Sequence, residues 1–582
     1  MKIQTVHFFD PYAGIWPHAF PEALVASALK QGGALVTYVT CDGLLADGCT
    51  VMTAHRLTFR SPQKARESVC RMCRRRRDAI TGALEVATVT LDSLVSPEVR
   101  GQLRAQAEGV ARGDIEGLQV DGLAVGRIAL HETIIHFKLT SLEEMDEEAL
   151  VDFRVKLLHV LMFLHATGRL IAERGPARIV NYNTHISTNY VMMLQAERHG
   201  VPTYGLHAGG NMADRFATLY VFRQDMVRLY KDWMTRFDGE WAQLPATARG
   251  IADATRHFLA LSTGKTVWVY SAPKQKGYFD VRGHYGVAPG QKVLLATLSS
   301  YDELFSSQMM GVMDTPPLMF ASQVEWMRAL IAHLAARPDL FLIIRVHPRE
   351  LPNLRDKVHS THARRLAEAL VDLPSNVRIN WPEESISLYD LLPQVDVGLN
   401  GWSSTGKELA LLGIPVVLFT GDILFYPASL NSLAVDRQDY FRRIDAALAS
   451  GWSFERARQV LRWMAVEYTL GVIDISDGFT YKEGARSLWR RALNRLKRLL
   501  AFRLEARRLR LPVARAELFH KVIMEDAPLV DLQLQADGRL DAQAEDALVR
   551  REMGRILSGI YAHVPDGVSR TIDALRTAVA VR

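Results

Sequence analysis

The stretch VGLNGWSSTGKELALLGIPVVLF (397–419) reads as a short apolar run, a turn of small and hydroxyl residues, an amphipathic helix and a second apolar run. Two short apolar runs joined through a helix make a β-α-β unit, because parallel strands need a crossover connection. The same alternation runs upstream. VLLATL (293–298), SQVEWMRALIAHLAARP (322–338), FLIIRV (341–346), ARRLAEALVDL (363–373), NVRINWP (376–382) and SLYDLLPQ (387–394) follow one another as strand or helix signals. Residues 293–419 therefore predict a doubly wound domain with a parallel sheet.

The first third repeats the pattern less cleanly, in KIQTVHFF (2–9), AFPEALVASALKQGG (19–33), ALVTYVT (34–40), RIVNYN (178–183), STNYVMMLQAERHG (187–200) and VPTYGLH (201–207). Between them, about 50–170, long helical stretches read as an insertion. The expected fold class is α/β, two Rossmann-like domains facing a cleft, over 1–255 and 256–430, with a hinge near 255–275. After about 430 strand signals vanish, so 431–582 is expected to be a helical extension. Ligands in such domains sit outside the carboxyl ends of the strands.

Composition sets the class. The chain has 582 residues, 48% apolar and 23% charged, as in ordinary globular enzymes, and a length that calls for more than one core. No uninterrupted apolar run approaches the roughly 18–20 residues of a membrane span, and MKIQTVHFFDPYAG carries no signal-peptide pattern, so a cytoplasmic location is expected. The formal charge of +6 is concentrated locally: from Lys482 to Arg510 eleven Lys or Arg face only Glu483 and Glu505. In SLWRRALNRLKRLLAFRLEARRLR the apolar positions Trp489, Leu493, Leu496, Leu500 and Leu504 recur at helical spacing. Such a helix suits a peripheral place on the inner face of a membrane, or packs its stripe on the protein and leaves the arginines solvated. No recognised fold or aromatic platform accompanies the charge, so no nucleic-acid partner is expected.

The turn of the opening stretch suits phosphate. Ser403, Ser404 and Thr405 offer hydroxyls, Gly401 and Gly406 let backbone approach closely, and the N–H groups that open a helix favour an anion. The plain alternative is an N-cap at Ser404 or Thr405 with Glu408 closing a capping box. A second motif, FLIIRVHPRE, ends another strand of the same sheet and brings Arg345, His347, Pro348 and Arg349 to the same edge. Ser299 and Ser300 in LSSYDELF are expected near donor phosphate, with Asp302 and Glu303 toward the sugar or its acceptor. Pro382 and Glu383, in WPEESISLYD, are expected at base or ribose.

Together, RVHPRE and SISLYDLL…DVGLNGWSSTGKELALLGIPVV resemble the nucleotide-binding half of GT-B glycosyltransferases that make bacterial surface polysaccharides. The capsule-synthesis group with the β-Kdo transferases fits best. Likeness to bacterial sialyltransferases and CDP-glycerol glycerophosphotransferases is more distant. The resemblance covers about 290–430 well and the N-terminal half loosely. It implies that His347 and Pro348 form the HP motif, that Ser403, Ser404 and Thr405 form the serine motif, and that a CMP-sugar such as CMP-Kdo is favoured over UDP or dTDP donors.

For the acceptor side, VPTYGLHAGGNMADR places His207 at a strand end before a Gly-Gly loop, as the resemblance to CDP-glycerol transferases also suggests. An imidazole there can take the acceptor hydroxyl's proton; a structural histidine in a tight turn is the alternative. Asp214 and Arg215 are expected to orient His207 or meet an acceptor anion, and in a retaining enzyme Asp214 or Glu132 would be nucleophile candidates. Asn183, His185 and Ser187, in YNTHISTNY, are expected to bind acceptor or phosphate.

All four cysteines, Cys41, Cys49, Cys70 and Cys73, fall within 33 residues. That clustering suits structural zinc on four thiolates, with an iron–sulfur cluster or plain reduced thiols as the other readings. No catalytic cofactor is expected, since no D-x-D motif stands in a convincing position. The leading expectation is a metal-independent glycosyltransferase with a nucleotide-sugar donor and a glycan or lipid-linked acceptor. Nucleotide-sugar 2-epimerisation, polyol-phosphate transfer and a non-catalytic assembly scaffold are the alternatives.

Overall fold

The structure, a computed structural model, describes residues 4–264, 270–353, 357–479 and 509–580. The basic helical stretch falls almost wholly in 480–508, outside the described residues. The expected hinge overlaps the helix Ala248–Thr263 and residues 265–269, which are also outside them.

Two sheets form. In the first, β1 (Thr5–Asp10), β2 (Leu35–Thr40), β3 (Ala87–Thr90), β4 (Arg178–Tyr182), β5 (Thr203–Ala208) and β6 (Thr218–Arg223) are joined by β13 (Val472–Asp474) in the order β13-β6-β5-β4-β1-β2-β3. The second holds β7 (Lys292–Thr297), β8 (Leu340–Arg345), β9 (Val377–Asn380), β10 (Val397–Asn400), β11 (Val416–Leu418) and β12 (Ser432–Leu433) in the order β12-β11-β10-β7-β8-β9, every pair parallel. Each sheet has the doubly wound strand order, with its reversal beside β1 and β4 in the first and beside β7 and β10 in the second. These are two Rossmann-like domains, as expected.

Helices cover both faces of the central strands, so those strands read as continuous apolar runs: all six residues of LFLIIR in β8 are buried. Several helices begin where a short polar side chain takes a free backbone N–H, as when Ser322 accepts from Glu325 N at 3.1 Å and Thr247 from Gly250 N at 3.1 Å.

Two expectations need correction. Strands do not stop at 430: β12 and β13 follow, each too short to show periodicity, and β13 carries the chain back to pair antiparallel with β6. The inserted region is not purely helical either, since β3 lies within it and forms the edge of the first sheet. On one side the domains are tied together by Arg127, whose guanidinium donates to Met309 O at 2.9 Å and Gln308 O at 3.1 Å. Buried Lys138 adds to this by donating to the carbonyls of Val358, at 2.7 Å, and Arg349.

Candidate nucleotide cleft

A cleft of about 330 Å³ opens at the carboxyl edge of the second sheet, beside the β7–β10 reversal. Its walls come from three places. The second domain gives His347, Pro348 and the Ser403–Thr405 turn; the first gives Gly210, Met212 and Arg215; the returning chain gives Glu467 and Tyr468. A further cavity of about 400 Å³ lies by Gln394–Asp396, at the amino edge of β10. That is the wrong end of the sheet for a ligand in this architecture.

Asn400 shapes the serine turn. Its Oδ1 accepts from Ser403 N at 3.2 Å and its Nδ2 donates to Ser403 O at 2.8 Å and to Tyr426 Oη at 3.0 Å. Thr405 N donates to Ser403 Oγ at 3.3 Å, and the Ser403 and Thr405 hydroxyls lie 3.0 Å apart. The capping box does not form: the Ser404 side chain makes no cap bond, and Glu408 accepts from Tyr389 Oη at 2.8 Å. The helix that follows, Thr405–Leu411, has only seven residues, so hydroxyls and local N–H groups matter here more than a macrodipole.

His347 sits where β8 ends, and Pro348 starts a 3-10 turn at once. Its Nδ1 accepts from Arg349 N at 3.3 Å, which leaves the proton of the neutral ring on Nε2. Burial, and then the Arg349 and Arg345 charges, push His347 down to about 4, so it meets a ligand as a neutral donor.

The two arginines of the motif serve the scaffold. Arg345 is pushed down to about 10 by burial and donates to Ile386 O at 3.1 Å, Ser271 Oγ at 3.3 Å and Asn380 Oδ1. It still borders the cleft. Arg349 is locked to Asp302 at 2.6 Å and to Ser300 Oγ at 3.1 Å, and Glu303 adds a contact at 3.3 Å. Asp302 and Glu303 are thereby drawn to an arginine and not into the cleft wall. Ser300 donates to Asp302 at 2.6 Å, and the Ser299 backbone is paired in both directions with the Gln323 amide at 2.8 and 3.0 Å. Pro382 and Glu383 form a 3-10 turn after the edge strand β9, outside the cleft lining.

Four of the lining residues that the sequence reading did not single out stand together in the wall. Lys407 is buried against Glu467, its ammonium 5.1 Å above the Tyr468 ring. His257 stacks on Tyr468 with ring centres 4.1 Å apart and accepts from Met212 N at 3.1 Å. Lys407 lay within the opening stretch but reads there as an ordinary helix residue. Glu467 and Tyr468 come from a π-helical turn, Val466–Leu470, sixty residues further on. Such turns recur at functional sites, but no spacing rule announces them.

The acceptor-side candidates lie at the carboxyl edge of the first sheet. His207 Nδ1 donates to Ala208 O at 2.9 Å, so Nε2 keeps its lone pair. Burial, helped by Arg215, pushes His207 down to about 3. It is outside the cleft lining, whereas Arg215 is part of it. Asp214 pairs with Arg256 at 2.9 Å and does not orient His207. Asn183, at φ 62°, uses Oδ1 to accept from His185 N at 3.1 Å, a turn-forming role. Ser187 N donates to Glu132 at 2.9 Å and its hydroxyl to the same carboxylate, so Glu132 holds the start of the helix Ser187–Arg198. Burial raises Glu132 to about 7. Close by, the Asn181 amide, Thr184 Oγ1 and His185 Nε2 are buried with no hydrogen-bond partner among the described residues. Buried polar atoms in that state await water or a ligand.

Among the described residues no helix is long and apolar enough to cross a membrane. No family model and no curated protein sequence matches the chain. Solved structures that resemble it include the β-Kdo 2,4 transferase KpsC of Thermosulfurimonas dismutans, at 18% identity over 50% of this chain and 80% of that one, with a TM-score of 0.31. A putative UDP-N-acetylglucosamine 2-epimerase of Listeria monocytogenes has 12% identity over 82% of this chain and 95% of its own, with a TM-score of 0.26. The calicheamicin glycosyltransferase CalG4 has 15% identity over 86% and 99%, with a TM-score of 0.26.

Proposed function

We propose that the chain is a GT-B glycosyltransferase that takes a sugar from a nucleotide-activated donor, a CMP-sugar such as CMP-Kdo favoured, and adds it to a growing bacterial surface polysaccharide or lipid-linked glycan. One observation carries this reading. At the reversal point of the second sheet, the Ser403–Thr405 turn and the His347 donor share one cleft with Arg215 and Lys407. Hydroxyls, a neutral imidazole N–H and the Arg215 guanidinium suit the phosphate of a departing nucleotide, whose growing charge they would stabilise without a metal, while the Lys407 charge is offset by Glu467. The acceptor enters from the first domain, where unpartnered Asn181, Thr184 and His185 atoms offer hydrogen bonds and His207 Nε2 can orient a hydroxyl. The sugar preference rests on the HP and serine motifs alone.

Calorimetric titration of the full chain with CMP, CDP, UDP and dTDP, repeated on His347→Ala, tests the reading. Selective CMP binding that weakens about 10-fold or more in the variant is expected, since one hydrogen bond to a charged group is worth about 1.5–3 kcal/mol. Selective UDP or dTDP binding would keep the transferase and replace the donor. Conversion of a UDP-sugar with no acceptor present would assign an epimerase, and binding of no nucleotide would remove the site.

A further inference from the structure

The four cysteines take no part in the cleft, yet the fold gathers them. Cys41 follows β2, Cys49 precedes the short helix Thr50–Ala54, and Cys70 and Cys73 lie one turn apart on the helix Gln63–Leu84. All four are free and line one cavity of about 20 Å³, room for a single water-sized guest.

Backbone N–H groups reach two of these sulfurs. Gly43 N donates to Cys41 Sγ at 3.4 Å and Gly14 N to Cys73 Sγ at 3.2 Å. A neutral thiol is a weak acceptor, whereas a metal-bound thiolate is stabilised by N–H donors of this kind. The loop between Cys41 and Cys49 is clamped onto the helix that bears the other pair. Arg66 donates to Ala46 O at 3.1 Å and Asp47 O at 3.2 Å, Arg74 to Asp42 O at 3.0 Å, and Arg77 to the Asp42 carboxylate at 2.9 Å.

We propose that Cys41, Cys49, Cys70 and Cys73 hold a thiophilic metal through four thiolates. Among the described residues no three His, Cys, Asp or Glu side chains converge on one ion as they stand, so four-thiolate binding requires the thiol side chains to rotate toward the cavity they line. Each of the four S–H groups gives its proton to solvent as its metal–sulfur bond forms. A divalent ion then leaves a centre of net charge −2 near the Arg66 and Arg74 guanidinium groups and near the carboxylates of Asp42, Glu67 and Asp92. Four thiolates leave no open position, so the centre is structural. It ties the loop after β1, through Pro11 and Gly14, to the inserted helix, and that loop borders the reversal point of the first sheet.

Elemental analysis of the full chain, purified without chelator and under nitrogen, is the first test, with about one zinc per chain expected. Iron and inorganic sulfide in place of zinc would equally support four thiolate ligands and identify a cluster as the occupant. Cobalt(II) exchanged into the zinc form should give intense thiolate-to-metal charge-transfer absorption, and Cys70→Ser and Cys73→Ser should each lower metal affinity at least about 10-fold. A folded wild-type chain that holds no metal, takes up neither zinc nor iron and sulfide, and shows four freely titrating thiols would overturn the proposal. So would a cobalt spectrum without thiolate bands, even if the serine variants fail to fold.

Discussion

Gly406 shows how one side chain, or its absence, decides the site. A Cβ placed there would fall on the Tyr426 hydroxyl and 2.6 Å from Asn400 Nδ2, the two groups that hold the serine turn. Gly406→Ala should therefore cost about 1–3 kcal/mol of stability and weaken nucleotide binding more than His347→Ala does, because it displaces the whole turn. Thermal melting and the same calorimetric titration check both parts; unchanged affinity would mean that the turn does not touch the ligand. His347 is the complementary case. The sequence marks it through its proline, but only the bond from Arg349 N to Nδ1 tells which ring nitrogen faces a ligand with a proton.

At the scale of elements, the cleft depends on the π-helical turn Val466–Leu470, which brings the returning chain against the helix of the serine turn. Lys407 and Glu467 meet there, both almost fully buried, and Tyr230 Oη donates to the same carboxylate at 3.1 Å. Removing one partner strands a buried charge, so Lys407→Met should destabilise the chain by about 3–5 kcal/mol, and adding Glu467→Gln should recover part of the loss. Urea denaturation of the single and double variants checks this; equal midpoints for wild type and Lys407→Met would show the pair to be energetically idle. Lys138 does similar work between the domains: its ammonium ties the carbonyls of Arg349 and Val358, next to the HP turn, to the first domain.

For the molecule as a whole, buried histidines set the response to acid. Burial drives His131, His159 and His207 from 6.5 to about 3, and His7, His18, His347 and His362 to about 4. The unfolded chain protonates these rings near 6.5 and the folded chain does not, so stability falls as pH drops from 6.5 toward 4. Asp10, Glu132 and Glu350, raised to about 7 by burial, and Glu22, Asp92, Asp214, Asp396 and Glu408, also raised by burial, act in the opposite sense, since they lose stability as pH rises toward 7. With His55, His185, His257 and His333 also lowered by burial, the histidines outnumber them, so the melting temperature should decrease between pH 7 and pH 5; an increase over that range would show the carboxylates to dominate.

The two Rossmann-like domains, the serine turn and the HP turn were legible in the sequence because parallel β-α-β units impose a short local alternation, and a glycine or proline punctuates each turn. The cysteine cluster was legible for a similar reason, as four residues of one type gathered in one short span. Tertiary structure decided the rest. It turned Arg349 inward to Asp302, gave Asp214 to Arg256, and completed the cleft with Glu467 and Tyr468 from a chain that had already left the second domain. A buried charge takes whichever partner the fold brings within reach, and that choice is made across tens or hundreds of residues, where local periodicity carries no information.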